Sequence, residues 1–392
     1  MSYNKIVFLV ETPILERYYK RYGIQELRDL GFETTIFDLS PILLPTAYQH
    51  ITKGLCDYDE CGFYRFFDLE TLKKVFKEMD SETTLLICSM GYLWSYRHVF
   101  RIIKRYGLHF CYFMQEITPT DATKVNKSDE NKLSISRIKD SITRRIPLQL
   151  HGISFADFII GCGDDRDAIE AYKRARLCKE ECQIIFFHSS NYEECLVNKT
   201  LPSIYNEKFC VFIDQYLPYH TDLIKMGICI DANKYYQDMN KLFDLIEEKL
   251  GIKVVIAAHP RSDYEKNSGA FGDRDIVYNK TCQLVKEAEF VIYHFSNSLA
   301  YVTLFNKPLL VVVNNEILHF FSEAVNKICQ QMNVKYLNLN EDYSFSVVKS
   351  NMSIDENVYL QYVQRYMKKD YDGVIQGEKL WVQIGKYLKN EG

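Results

Sequence analysis

The sequence predicts an α/β protein of two doubly wound domains facing across a cleft, followed by a helical tail. Three observations predict it. Short apolar runs alternate with helical stretches through the first half, as parallel sheets covered by helices on both faces require. The same alternation restarts after a polar stretch at 192–208. The chain has 392 residues, more than one ordinary core organises. The expected divisions are 1–200, 205–355 and a tail over 356–392.

The elements follow in order. KIVFLV (5–10) is a continuous apolar strand, and ILERYYKRYGIQELRDLG reads as a helix ending at Gly31. Further strands are expected at 32–39, 84–90, 108–114, 156–163 and 182–188, with helical stretches at 91–106 and 165–177. Residues 120–150 carry no strand signal. Between Lys124 and Arg145 seven Lys or Arg face three Asp or Glu. That local excess reads either as a solvated face or as a peripheral contact with a membrane surface or an anionic acceptor. In the second half, strands are expected at 208–215, at KVVIAAHP, at 289–295 and at 308–313. Helices are expected at 231–251, 279–288 and 296–307. Residues 355–390 read as helical and carry Trp381.

Composition narrows the function classes. The chain is 47% hydrophobic and 26% charged, with net charge −4, so no global field draws nucleic acid. No apolar run reaches the ~18–20 residues of a membrane span, and MSYNKIVFLVETP lacks the form of a signal peptide. Of the 12 cysteines, Cys88, Cys111, Cys162 and Cys210 lie in or beside strand-like runs, and the pairs Cys56/Cys61 and Cys178/Cys182 lack CxxC spacing, which suits reduced thiols in a cytoplasmic protein. No GxGxxG or GxxxxGK[ST] is present, so neither a dinucleotide fold nor a P-loop is favoured.

Three features fall at the carboxyl ends of predicted strands of the second domain: Asp214–Gln215, His259–Pro260 and Ser296–Asn297–Ser298. In an open parallel sheet those ends share one rim, where ligands bind. Ser296 or Ser298 can cap the following helix, whose N–H groups suit a phosphate. His259 can donate to a phosphate oxygen or protonate a departing one. Pro260 stiffens its presentation, and Arg261 adds charge. Asp214 is a candidate base or nucleophile. Glu11 and Glu116, at strand ends of the first domain, compete for the base role or serve as a turn acid and a helix cap. His294 competes with His259 but lies along a buried strand, so His259 is preferred.

The stretch AAHPRSDY…EAEFVIYHFSNSLAYVTLFNKPLLVV resembles the HP and Ser-rich motifs of bacterial glycosyltransferases of the GT-B type, with two Rossmann-like domains. It is most similar to sialyltransferases, polysialyltransferases and capsule Kdo transferases, over roughly residues 208–313. The resemblance implies transfer of a sugar from a nucleotide donor to a glycan or glycolipid acceptor in bacterial surface polysaccharide synthesis. It implies a CMP-linked acidic sugar as donor, and no metal or other cofactor. It gives His259, Pro260, Arg261, Ser296, Asn297 and Ser298 to the donor phosphate, and Asp214 and His259 to catalysis. A CDP-polyol phosphotransferase of teichoic-acid type, a UDP- or GDP-sugar transferase, and a non-catalytic nucleotide-binding scaffold are the other readings.

Overall fold

The computed structural model describes residues 3–14, 19–50, 62–118, 148–220, 223–224, 226–352 and 354–390. The basic segment 124–145, Cys56 and Cys61 lie outside them. Two all-parallel sheets form the frame. The first runs β3-β2-β1-β4-β5-β6-β7, with β1 Lys5–Val10, β2 Glu33–Asp38, β3 Phe63–Arg65, β4 Thr84–Cys88, β5 His109–Phe113, β6 Phe158–Gly161 and β7 Gln183–Phe186. The second runs β10-β9-β8-β11-β12-β13, with β8 Phe209–Ile213, β9 Lys253–Ala258, β10 Ile276–Tyr278, β11 Val291–Tyr293, β12 Leu309–Val313 and β13 Tyr336–Asn338. Central strands such as β4, β8 and β12 are buried at every residue, because helices cover both faces. In each sheet the order reverses beside the first strand, at β1/β4 and at β8/β11. Such reversals open the crevices where open α/β sheets take ligands.

Local chemistry fixes the helices. Asp231 caps Ala232–Leu250 by accepting Lys234 N at 3.2 Å, and Gly251 ends that helix in the left-handed region at φ 64°. Its buried face is Tyr235, Met239, Leu242, Phe243 and Ile246, at helical spacing. Asn314 caps Asn315–Met332 through Ile317 N at 2.9 Å.

Several elements differ from expectation. Within the described residues the first helix spans Ile24–Asp29, after a 3-10 turn at Lys20–Tyr22, because Gly23 breaks the chain at φ 53°. The polar stretch at 192–208 hides most of a helix, Ser190–Asn198, capped by Ser189 and burying Asn191, Tyr192 and Cys195. The helix expected over 296–307 is shorter, Leu299–Leu304. The tail holds two helices that part company. Glu356–Tyr366 packs beside the second sheet's Leu299–Leu304 helix. Leu380–Asn390 returns to the first sheet, where Leu380, Trp381, Ile384 and Leu388 share a core with Ile6, Phe8 and Val10. Trp381 meets Phe8 edge-on at 5.0 Å between centroids and donates Nε1–H to the Arg21 carbonyl at 2.6 Å. It sits so tightly on Gly23 that a Cβ there would lie 2.1 Å from its ring. This helix thereby closes the first domain. Among the described residues no helix is long and apolar enough to cross a membrane.

Candidate functional site

β8 is the middle strand of the β9-β8-β11 trio, and its two exit residues brace both neighbours. Asp214 turns to β9. Its Oδ2 accepts the His259 N–H at 3.3 Å and the Tyr264 hydroxyl at 2.7 Å, while Oδ1 accepts Tyr216 N at 2.8 Å. Gln215 turns to β11. Its carboxamide takes the Phe295 N–H at 3.0 Å on Oε1 and donates from Nε2 to the Phe295 carbonyl. One dipeptide thus fixes where the His259 and Ser296 loops leave the sheet.

The His259 loop is a turn. Ser262 N donates to the His259 carbonyl at 2.9 Å, and the Ser262 hydroxyl donates to it at 2.7 Å. Pro260 occupies the second turn position, where its fixed φ is favoured. A strand ends in His–Pro here because the proline turns the chain while the histidine stays at the rim. Nδ1 of His259 accepts Arg261 N at 3.2 Å, so the neutral ring carries its proton on Nε2. The ring of His220 lies 5.2 Å away.

The serine loop is self-satisfied. Ser296 N meets the Tyr293 hydroxyl, Phe295 N is held by Gln215, Ser298 N donates to Ser296 Oγ at 3.2 Å, and Leu299 N donates to the Ser296 carbonyl at 3.2 Å. Ser298 precedes the helix without a side-chain cap bond. The expected row of helix-end N–H groups is therefore largely consumed within the loop. What the loop offers a ligand is its serine side chains.

These residues line a cavity of about 830 Å³ between the two domains. Asp214, His259, Pro260, Ser296 and Ser298 come from the second sheet's rim. Tyr19, Arg21 and Glu26 face them from the first domain, with Glu193 and Glu194 of the connecting helix and Lys379 and Trp381 of the returning tail. Four expected residues are not among its walls: Arg261 and Asn297, both exposed, and Glu11 and Glu116, both half-buried. Glu11 instead engages Tyr96, Arg176 and the Gly91 backbone, and burial raises its pKa above the ordinary carboxylate value.

Burial sets the remaining titrations. Asp214 is 3% exposed, and loss of water pushes its pKa up to about 6 despite its hydrogen bonds. His294 is fully buried, donates Nδ1–H to the Val312 carbonyl and accepts the Tyr235 hydroxyl on Nε2 at 3.0 Å. Burial drives its pKa down to about 4, so it stays neutral and serves the core. Among the described residues no disulfide joins the cysteines.

No family model and no curated protein matches the sequence. Solved structures do. MnaA of S. aureus, in a co-structure with UDP, aligns at TM-score 0.51 and 12% identity, covering 98% of this chain and 97% of that one. A UDP-N-acetylglucosamine 2-epimerase aligns at 0.49 and 12%, covering 100% and 95%. The wall teichoic acid polymerase TagF aligns at 0.47–0.48 and 12%, covering 98–99% of this chain and 87–89% of that one across two structures. The fold is GT-B. Two Rossmann-like domains face across a cleft, as the sequence led us to expect.

Proposed function

We propose that the chain is a glycosyltransferase that moves a sugar from a nucleotide donor to an acceptor hydroxyl. The observation that carries this reading is the β8 brace. Asp214 and Gln215 hold the His259 and Ser296 loops at the β8/β11 reversal, and both loops open into the interdomain cavity. In the reaction, the bond from the sugar's anomeric carbon to the phosphate oxygen breaks and a bond to the acceptor oxygen forms. The acceptor hydroxyl's proton passes to solvent water, and the nucleoside phosphate leaves with the electron pair of the broken bond. His259 meets the growing charge on that phosphate through Nε2–H, and the serine hydroxyls add neutral donors. Asp214, with both oxygens engaged, holds the His259 main chain in place, which makes it a positioning residue in this reading. Pro260 and Ser298 shape the same wall.

Which nucleotide carries the sugar is the finer part of the reading; the sequence resemblance implies CMP, linked to an acidic sugar. Thermal shift with CMP, CDP, UMP, UDP, GDP and dTDP tests both parts. A nucleotide that binds only the folded state at 100 times its Kd adds about 2.7 kcal/mol. We expect one of them to raise Tm in the native protein and to lose that effect in His259→Ala. A shift confined to CMP supports the CMP donor. A shift confined to UDP or GDP removes the CMP donor and keeps the transferase. No shift from any of them overturns the reading in favour of a scaffold.

A further inference from the structure

Glu193 and Glu194 line the cavity from the helix that joins the domains. Each is held by one oxygen. Glu193 Oε2 accepts Leu380 N at 3.0 Å and faces His188 Nε2 at 2.7 Å. Glu194 Oε2 accepts the Tyr301 hydroxyl at 2.7 Å. Among the described residues, Oε1 of neither enters a hydrogen bond. Tyr301 lies three residues beyond Ser298, so the Glu194 carboxylate is tied to the serine loop that faces the same space. The third carboxylate on that side, Glu26, is paired with Lys379 at 2.8 Å. The described walls thus carry four carboxylates, Glu26, Glu193, Glu194 and Asp214, against one arginine and one lysine, Arg21 and Lys379, with His259 beside them.

An ionised carboxylate only accepts hydrogen bonds. One oxygen clamped and the other open is a preorganised acceptor for hydroxyl groups. A ligand carboxylate in the same place meets like charge with water partly excluded, which selects against it. We infer that the transferred group is an uncharged, hydroxyl-rich sugar whose hydroxyls donate to Glu194, and not the acidic sugar implied by sequence resemblance. This rests on the nucleotide-donor reading and names the substrate class of that site.

The test is calorimetry at pH 7.5 with UDP, UDP-glucose, UDP-N-acetylglucosamine, GDP, GDP-mannose, CMP and CMP-N-acetylneuraminate. It compares the native protein with Glu194→Gln. Glutamine keeps the volume and can still accept from Tyr301, and an unchanged Tm confirms that the variant folds. A neutral sugar nucleotide is expected to bind about tenfold more tightly than its free nucleotide, as a hydrogen bond to a charged group allows. Glu194→Gln should erase that increment while leaving free-nucleotide affinity within about twofold. The inference is overturned if CMP-N-acetylneuraminate binds more tightly than CMP. It is equally overturned if no neutral sugar adds affinity, or if the increment survives in Glu194→Gln. If no free nucleotide binds at all, the donor reading itself falls and takes the inference with it.

Discussion

Tyr264→Phe removes one hydroxyl from the β8 brace and little else. The ring is 4% exposed and sits 5.3 Å from both Tyr216 and Phe271, contacts that phenylalanine keeps. What is lost is the 2.7 Å bond to Asp214 Oδ2, leaving that oxygen the longer 3.3 Å bond from His259 N. The cost depends on the charge of Asp214. Its folded pKa of about 6 lies above the ordinary 3.8, so at pH 8 the native carboxylate is ionised and at pH 5 it is largely neutral. A hydrogen bond to a charged group contributes about 1.5–3 kcal/mol, and a neutral pair about 1. The hydroxyl favours the ionised form, so removing it raises the Asp214 pKa further, and the penalty grows with pH. We expect a loss of about 2–3 kcal/mol at pH 8 and about 1 kcal/mol at pH 5. At about 2–4 °C per kcal/mol for a domain of this size, the drop in Tm at pH 8 is roughly 4–12 °C. Differential scanning calorimetry at both pH values, with the two domain transitions fitted separately, reads it. A loss that is equal at the two pH values, or larger at pH 5, refutes the hydroxyl–carboxylate coupling.

The other expectations follow from equally local facts. Gly23→Ala places a Cβ 2.1 Å from the Trp381 ring at a residue with φ 53°. Overpacking and left-handed strain together cost about 3 kcal/mol, visible as a lowered first-domain transition, and an unchanged Tm contradicts the close approach. His294 has a folded pKa of about 4 against 6.5 unfolded, so between those values only the unfolded chain takes the proton and acid destabilises. Its contribution, about 3 kcal/mol, is complete above pH 6.5 and lost as pH falls through about 4. Asp214 acts in the opposite sense, its burial penalty relaxing as pH falls below about 6. His294→Asn should therefore flatten the acid limb of the stability–pH curve, and a curve parallel to the native one refutes the assignment. Gln215→Ala strips both bonds from the Phe295 main chain. It should cost about 2 kcal/mol in stability and at least about tenfold in nucleotide affinity. Retained affinity detaches the brace from binding.

Much of the frame was legible because buried parallel strands announce themselves as apolar runs. KIVFLV matches β1 residue for residue, and Asp231 and Gly251 bound their helix as caps should. β3, β10 and β13 escaped notice because each has three residues at or beside a sheet edge, too few for a pattern. The rim was legible as well, since the strand ends at Asp214, His259 and Ser296 follow from topology alone. Its internal wiring was not. That Tyr264 closes on Asp214, or that Gln215 grips Phe295, depends on side-chain directions that no spacing encodes. Glu193 and Glu194 were hidden because SNYEECLVN reads as a polar connector, yet its Tyr192 and Cys195 are buried and turn the glutamates toward the cleft. Trp381 lies 358 residues from Gly23 in sequence, and only the folded chain shows that the tail completes the first domain.

The most direct test of a nucleotide site at the β8/β11 reversal is a crystal structure with the nucleotide that gives the largest thermal shift. The brace predicts its phosphate within hydrogen-bond distance of His259 Nε2 and the Ser296 or Ser298 hydroxyl, with the connecting helix facing the sugar side. A nucleotide bound elsewhere, or a cleft left empty at saturating concentration, would contradict it.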